Sequence, residues 1–216
     1  MSMAIFLDSA KLDEARFARE LCWITAVTTN PVLLASSGLS PEESLSQLAR
    51  LDFEYLFYQL TASTTSEMEK EAHLAREIVG RSLVLKVAPD ELGFRFAARN
   101  SAHFLFCPTA IYSPAQAMVA RAAGARFVAI YVNRATRLLG DGIELVRRVA
   151  TVLAGSQTEI LAASLKSGEE AVQAFTAGAK HITVPFDILG SLVVHPLSVE
   201  TMDQFRKNGT GLSFGN

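Results

Sequence analysis

Leu83-Val84-Leu85-Lys86-Val87-Ala88 is a continuous apolar run broken by a single lysine. A short run of this kind reads as a strand of a parallel sheet covered on both faces. One ammonium inside it needs a reason, because lysine is seldom fully buried without a partner. Seven similar runs lie upstream and downstream: Ala4 to Leu7, Ala26 to Thr29, Tyr55 to Leu60, His103 to Phe106, Phe127 to Val132, Glu159 to Ala163 and His181 to Pro185. Eight runs in 216 residues recur about every 27, close to a strand, a loop and a crossover helix.

The segments between the runs carry helix signals. Ser9 precedes a pattern in which Leu12, Ala15 and Phe17 share a rough apolar face. Ser40-Pro41-Glu42-Glu43 puts a capping serine before a proline and two acids. Thr64 to Val79 opens on a cap and aligns Met68, Ala72, Ala75 and Ile78. Ser113-Pro114 starts a helix that Gly124 ends, and Ser167-Gly168-Glu169-Glu170 starts another that Gly178 ends. No linker interrupts the alternation, so the expectation is an α/β fold, a single (β/α)8 TIM barrel over residues 1–216. Residues 196–216 are expected as a C-terminal helical extension, with Leu197, Val199, Met202 and Phe205 available to pack. A doubly wound sheet would carry Gly-x-Gly-x-x-Gly after its first strand, where Leu7-Asp8-Ser9 stands instead.

Composition narrows the function. Twenty basic residues against 22 acidic ones give a net charge of -2, without the basic excess that binds nucleic acid. Mean hydropathy is +0.24, yet no stretch approaches the roughly 18 apolar residues of a membrane helix. The opening run is short and lacks a basic flank, so a cytoplasmic location is expected. Cys22 and Cys107 sit among apolar neighbours and are expected as buried thiols. The four histidines show no paired ligand spacing, so no metal is expected.

In a barrel the site is built at the carboxyl ends of the strands. Seven of the eight runs end in polar residues: Asp8, Thr28 with Asn30, Gln59, Lys86, Thr109, Tyr131 with Arg134, and Ser164 with Lys166. Asp8 has a structural reading as a helix cap, Asn30 as a turn former and Thr109 as a partner of loop backbone. Lys86 has two readings: an ammonium reaching the barrel mouth, perhaps towards Asp8, or an amine nucleophile whose lone pair burial releases for attack on a carbonyl. Arg134 and Arg137 after the sixth run, and Ser164-Leu165-Lys166 before a helix N-terminus, suit a phosphate. For Arg137 a surface ion pair is the preferred reading.

These blocks, in this order, resemble the small class I aldolases of the transaldolase family, most closely the fructose-6-phosphate aldolase subgroup. Phe6-Leu7-Asp8-Ser9, Val27-Thr28-Thr29-Asn30-Pro31, Leu85-Lys86-Val87, Pro108-Thr109-Ala110-Ile111-Tyr112, Tyr131-Val132-Asn133-Arg134 and Ala162-Ala163-Ser164-Leu165-Lys166 carry the resemblance. Transaldolases place a glutamate on the third strand and typically a phenylalanine on the sixth, whereas Gln59 and Tyr131 are similar to the aldolase subgroup. The chain departs from the pattern at Ala88-Pro89, at Phe106-Cys107-Pro108 and over Ala135 to Asp141.

The resemblance implies reversible cleavage of fructose 6-phosphate to dihydroxyacetone and glyceraldehyde 3-phosphate. Its alternative is a transaldolase moving a dihydroxyacetone unit between sugar phosphates, and a remoter one is a non-catalytic sugar-phosphate-binding barrel. It implies Lys86 as the Schiff-base lysine, Tyr131 with Gln59 and Thr109 for proton exchange, and Asp8 for donor hydroxyls. Thr28 and Asn30 would hold the donor, and Arg134, Ser164 and Lys166 the acceptor phosphate. No cofactor is implied, and the chain is expected as a homo-oligomer, a decamer in the related family.

Overall fold

The computed structural model describes residues 3–212. Met1 and Ser2 of the opening run and residues 213–216 of the expected extension lie outside the described residues. The eight strands are β1 (Ala4–Asp8), β2 (Ile24–Thr28), β3 (Tyr55–Gln59), β4 (Leu83–Val87), β5 (Leu105–Pro108), β6 (Phe127–Tyr131), β7 (Glu159–Ala163) and β8 (His181–Val184). All ladders between them are parallel, in the order β5-β4-β3-β2-β1-β8-β7-β6. The two ends of that order meet through single hydrogen bonds, from Arg126 N–H to the Phe106 carbonyl and from Ile111 N–H to the Ala129 carbonyl, each 3.0 Å. Pro108 explains the sparse seam. Thr109 N–H bonds back to the Val87 carbonyl of β4, so position 108 faces β6, where proline offers no donor.

Side chains alternate along each strand, and the alternation sorts two apolar cores. Leu7, Val27, Leu85, Val128, Ala162 and Ile182 face outward to the helices. Phe6, Ala26, Phe57, Val84, Cys107, Phe127, Ala129 and Leu161 fill the barrel interior. Two residues beyond that inner layer, the inward position becomes polar on most strands: Asp8, Thr28, Gln59, Lys86, Thr109 and Tyr131.

The outer wall is made of α1 (Leu12–Glu20), α3 (Pro41–Ala49), α4 (Thr65–Val79), α5 (Glu91–Asn100), α6 (Pro114–Ala122), α8 (Gly142–Leu153) and α9 (Gly168–Thr176). Shorter α2 (Pro31–Ser36), α7 (Val132–Leu139) and α10 (Phe186–Val193) follow β2, β6 and β8, and α11 (Pro196–Asn208) ends the described chain. Ser40, Thr64, Ser113 and Ser167 cap their helices as read from sequence, and Ser40 with Glu43 completes a capping box.

Several expectations are corrected. Strand β5 begins at Leu105, with His103 in the turn before it, because Phe104 is already spent covering the outer core. Strand β2 starts earlier, at Ile24, and carries a register shift against β1 that leaves Thr25 unpaired. Ser9 binds Glu14 and the Lys11 N–H rather than capping α1, whose buried face is Ala15 and Ala18. Phe17 is half exposed, meeting Phe186 edge-on. Cys22 is exposed, held at φ 60 in the turn after α1. Arg137 has no ion pair among the described residues.

The amino end of the barrel is closed by charge rather than by apolar packing alone. Glu159 binds His181 Nε2 at 2.7 Å and Arg126 at 2.9 Å, while Phe6 stacks on the His181 ring. Burial holds the His181 ring below the usual histidine range, and the Glu159 carboxylate only partly opposes it. Burial would raise Glu159, but the His181 hydrogen bond and the Arg126 charge together bring it below the ordinary carboxylate range. With both folded-state values depressed, the unfolded chain takes up protons first. Acidification therefore removes stability, from about pH 6.5 downward through His181 and below about pH 4.5 through Glu159. His181→Gln keeps an N–H for Glu159 but cannot titrate, so its Tm should fall less than the parent's between about pH 7 and pH 5. Equal slopes in a thermal-unfolding series would show that His181 does not set this dependence.

Candidate active site

The polar layer at the carboxyl ends of the strands opens into a cavity of about 480 Å³. Lys86 stands at its base, 4% exposed, and its Nζ donates to the Thr29 carbonyl at 2.7 Å. That carbonyl is held in turn, since the Thr29 hydroxyl bonds the Phe57 carbonyl at 2.8 Å and the Thr29 N–H bonds the same oxygen at 3.1 Å. No carboxylate pairs with Lys86 among the described residues, so the contact with Asp8 that the first reading of this lysine invoked is not made. Gln59 is its register neighbour on β3 and Cys107 on β5. Burial pushes the Cys107 thiol up to about 12 against the opposing pull of the Lys86 charge, so the barrel interior beneath the lysine holds a neutral S–H.

Asp8 does not cap a helix. It accepts from Thr28 Oγ1 at 2.7 Å, and Thr28 lies 2.7 Å from Thr183 Oγ1, which joins β1, β2 and β8 beside the cavity. Asn30 fills its structural reading at the start of α2. Its Oδ1 caps α2 by accepting from Val32 and Leu33 N–H, each at 3.0 Å, which leaves its amide N–H₂ as the group to offer a ligand.

Across the cavity, Tyr131 sits between Thr109, whose hydroxyl donates to its Oη at 3.4 Å, and Tyr112, edge-on at 6.2 Å. Thr109 is buried behind the phenol and does not itself line the cavity. Arg134, one turn into α7, lays its guanidinium 5.2 Å from the centre of the Tyr131 ring. Ser164 is held in the left-handed region at φ 59, a conformation costing a non-glycine residue about 1 kcal/mol or more, and its carbonyl receives the Asn133 N–H. Glu170 ties the loop by accepting from Lys166 N–H at 2.7 Å and Asn133 Nδ2 at 2.6 Å. Arg134 and Lys166 form no ion pair among the described residues, so two cations face the opening uncompensated.

Nine of the ten residues singled out from sequence line one cavity, and the tenth supports the phenol that does. Thr183, Ala129, Leu33 and the Thr29 carbonyl also belong to the site and were not read from sequence. For Thr183 the signal was present: counting by two from the buried His181 puts it on the inner face. A backbone carbonyl carries no sequence signal. No group of three or more His, Cys, Asp or Glu residues that could hold a metal ion occurs among the described residues.

Chemically, the arrangement offers an amine, a phenol and a carboxylate around one enclosed space, with cations at its mouth for an anion. Comparison with known proteins agrees. A model described as Transaldolase/Fructose-6-phosphate aldolase matches residues 5–212. A probable transaldolase of Symbiobacterium thermophilum is 32% identical over 95% of this chain and 96% of its own length. One from Hydrogenobaculum sp. is also 32% identical, over 95% and 96%. Among solved structures, a mandelate oxidase variant superposes with a TM-score of 0.61 at 20% identity, over 87% of this chain. The chain spans only 64% of that oxidase's length, and at this identity the likeness concerns the fold alone. A lactate oxidase from Pediococcus acidilactici gives 0.61 at 15% identity, over 85% of this chain and 62% of its own. With the family model covering nearly the whole described chain, and relatives above 30% identity along their full length, this chain belongs to the transaldolase/fructose-6-phosphate aldolase family.

Proposed function

We propose that the chain is a class I aldolase that reversibly cleaves fructose 6-phosphate to dihydroxyacetone and glyceraldehyde 3-phosphate. The observation that carries the reading is Lys86, an almost fully buried amine with no carboxylate partner among the described residues, set at the base of a polar cavity. In this reading Lys86 Nζ adds to the ketone carbon of the sugar and water leaves, forming an iminium. The hydroxyl on the neighbouring side of the scissile bond then loses its proton, the carbon-carbon bond breaks, and its electron pair moves into the iminium to give an enamine. Tyr131, its Oη held by Thr109, takes that proton through a water bound by Gln59 and returns one to the enamine carbon. Hydrolysis then releases dihydroxyacetone and restores Lys86. Asp8, Thr28 and Asn30 bind the donor hydroxyls, while Arg134, Ser164 and Lys166 receive the phosphate. No cofactor enters the scheme.

Borohydride added with dihydroxyacetone should leave a reduced adduct on Lys86, located by peptide mass mapping. Lys86→Arg should give none, because a guanidinium stays protonated. An adduct on another lysine, or on none, would refute this chemistry and favour a barrel that only binds sugar phosphates.

The transaldolase alternative has specific support in the names of the relatives at 32% identity. What favours the aldolase is Tyr131 in the cavity, together with an amide at position 59 that cannot take a proton. Tyr131→Phe should lower cleavage by roughly 10²–10⁴-fold, the worth of a general acid-base group, while Lys86 remains trappable. Near-normal cleavage by that variant, together with efficient transfer of dihydroxyacetone from fructose 6-phosphate to erythrose 4-phosphate by the parent, would establish the transferase instead.

We extend the proposal to organisation. Residues 1–216 are read as one barrel domain with 196–216 as an appended helical segment, working in the cytoplasm; no helix among the described residues is long and apolar enough to cross a membrane. Helix α11 buries none of its residues, and Leu197, Val199, Met202 and Phe205 are between 45% and 65% exposed. Such a face needs a cover, and a second copy of the chain supplies one, giving a homo-oligomer with the family's decamer as the expected form. Light scattering should report a multiple of 23.4 kDa, reduced by truncation before Pro196. A monomer mass for both proteins would refute the assembly.

A further inference from the structure

A threonine hydroxyl has one proton to give and lone pairs with which to receive. Thr28 Oγ1 lies 2.7 Å from Asp8 Oδ1 and 2.7 Å from Thr183 Oγ1. A carboxylate can only accept, so the single Thr28 proton is committed to Asp8. The second contact must therefore run from Thr183 to Thr28. The result is a directed chain from β8 through β2 to β1: Thr183 gives to Thr28, and Thr28 gives to Asp8. Both threonines are buried, 1% and 2% exposed, so bulk water cannot stand in for either hydroxyl. Backbone register fixes the spacing, because β1 pairs with β2 at Asp8 and Thr28, and with β8 at Phe6 and Thr183. The Asp8 carboxylate has no other hydrogen bond among the described residues, which leaves Oδ2 for a ligand in the cavity that Asp8 and Thr183 both line.

We infer that Thr183 is a positioning residue for the reaction: through Thr28 it fixes the face that Asp8 turns to the donor hydroxyls. The inference rests on the aldolase reading of the site, and it assigns a role to β8, the one strand whose end was left empty in the sequence reading. Thr183 acts at one remove and need not touch the reacting carbons. A threonine suits the task, since branching at Cβ restricts χ1 on a strand and aims the hydroxyl.

Thr183→Val keeps the shape and removes the donor. Turnover of fructose 6-phosphate should fall about tenfold, the effect of removing one buried hydrogen-bond donor, with borohydride trapping on Lys86 unchanged. Thr183→Ser should restore most of it. In an Asp8→Ala background, Thr183→Val should lower the remaining turnover by less than about twofold, since the acceptor it positions is gone. A repeated tenfold loss in that background, or failure of the serine variant to restore turnover, would overturn the positioning role in favour of a merely structural one. Thermal unfolding of the same four proteins of the cycle reads the chain without substrate: the Tm losses of Thr183→Val and Asp8→Ala should be less than additive, and additive losses overturn the chain itself. If the parent cannot be trapped at Lys86, the aldolase reading falls, while the chain still stands or falls on the Tm cycle.

Discussion

A strand in a closed parallel barrel has an inner and an outer face, and successive residues must take them in turn. On β4 the outer residues Leu83, Leu85 and Val87 must be apolar because helices cover them, whereas Val84 and Lys86 point inward at two depths. The same two-residue step carries β1 from Phe6 to Asp8, β2 from Ala26 to Thr28 and β3 from Phe57 to Gln59. The inner apolar layer is thus the support on which the polar layer stands. It also keeps water from reaching the site from below, with Cys107 as a neutral member directly under the amine.

Much of this was legible from residue order. The eight runs, the caps at Ser40, Thr64, Ser113 and Ser167, and the polar strand ends all state local requirements that a strand or helix terminus imposes. The errors have local causes too. His103 was assigned to a strand because it precedes an apolar run, but Phe104 and Leu105 divide between outer core and strand start. Phe17 is expected on the apolar face of the first helix, with Leu12 and Ala15, and Cys22 as buried from its apolar neighbours. One is on the outer side of α1, and the other is in a turn whose backbone leaves its thiol exposed.

The site was less legible in its connections than in its membership. Sequence pointed to Lys86, but not to the Thr29 carbonyl that receives its proton, since main-chain acceptors are the same at every position. It pointed to Asp8 and Thr28 without the second hydroxyl, Thr183, 155 residues downstream of Thr28. It also gave Asn30 two competing roles, and the geometry commits only its Oδ1 to the structural one. Such connections depend on distances between strands that are remote in the chain, and no local pattern encodes them.

Pro108 has a consequence beyond the missing rung. Seven of the eight junctions between strands are continuous ladders, and the eighth is a clasp of isolated hydrogen bonds on either side of a residue with no N–H. The ring is therefore a strip of seven ladders whose ends are joined by backbone hydrogen bonds at two separate places. Thr109 and Tyr131 meet across that clasp, so a side-chain contact spans the junction where backbone pairing is sparsest. Asp8, Thr28 and Thr183 instead join strands that are paired by continuous register, so the carboxylate is framed by backbone ladders and the phenol by side-chain contacts.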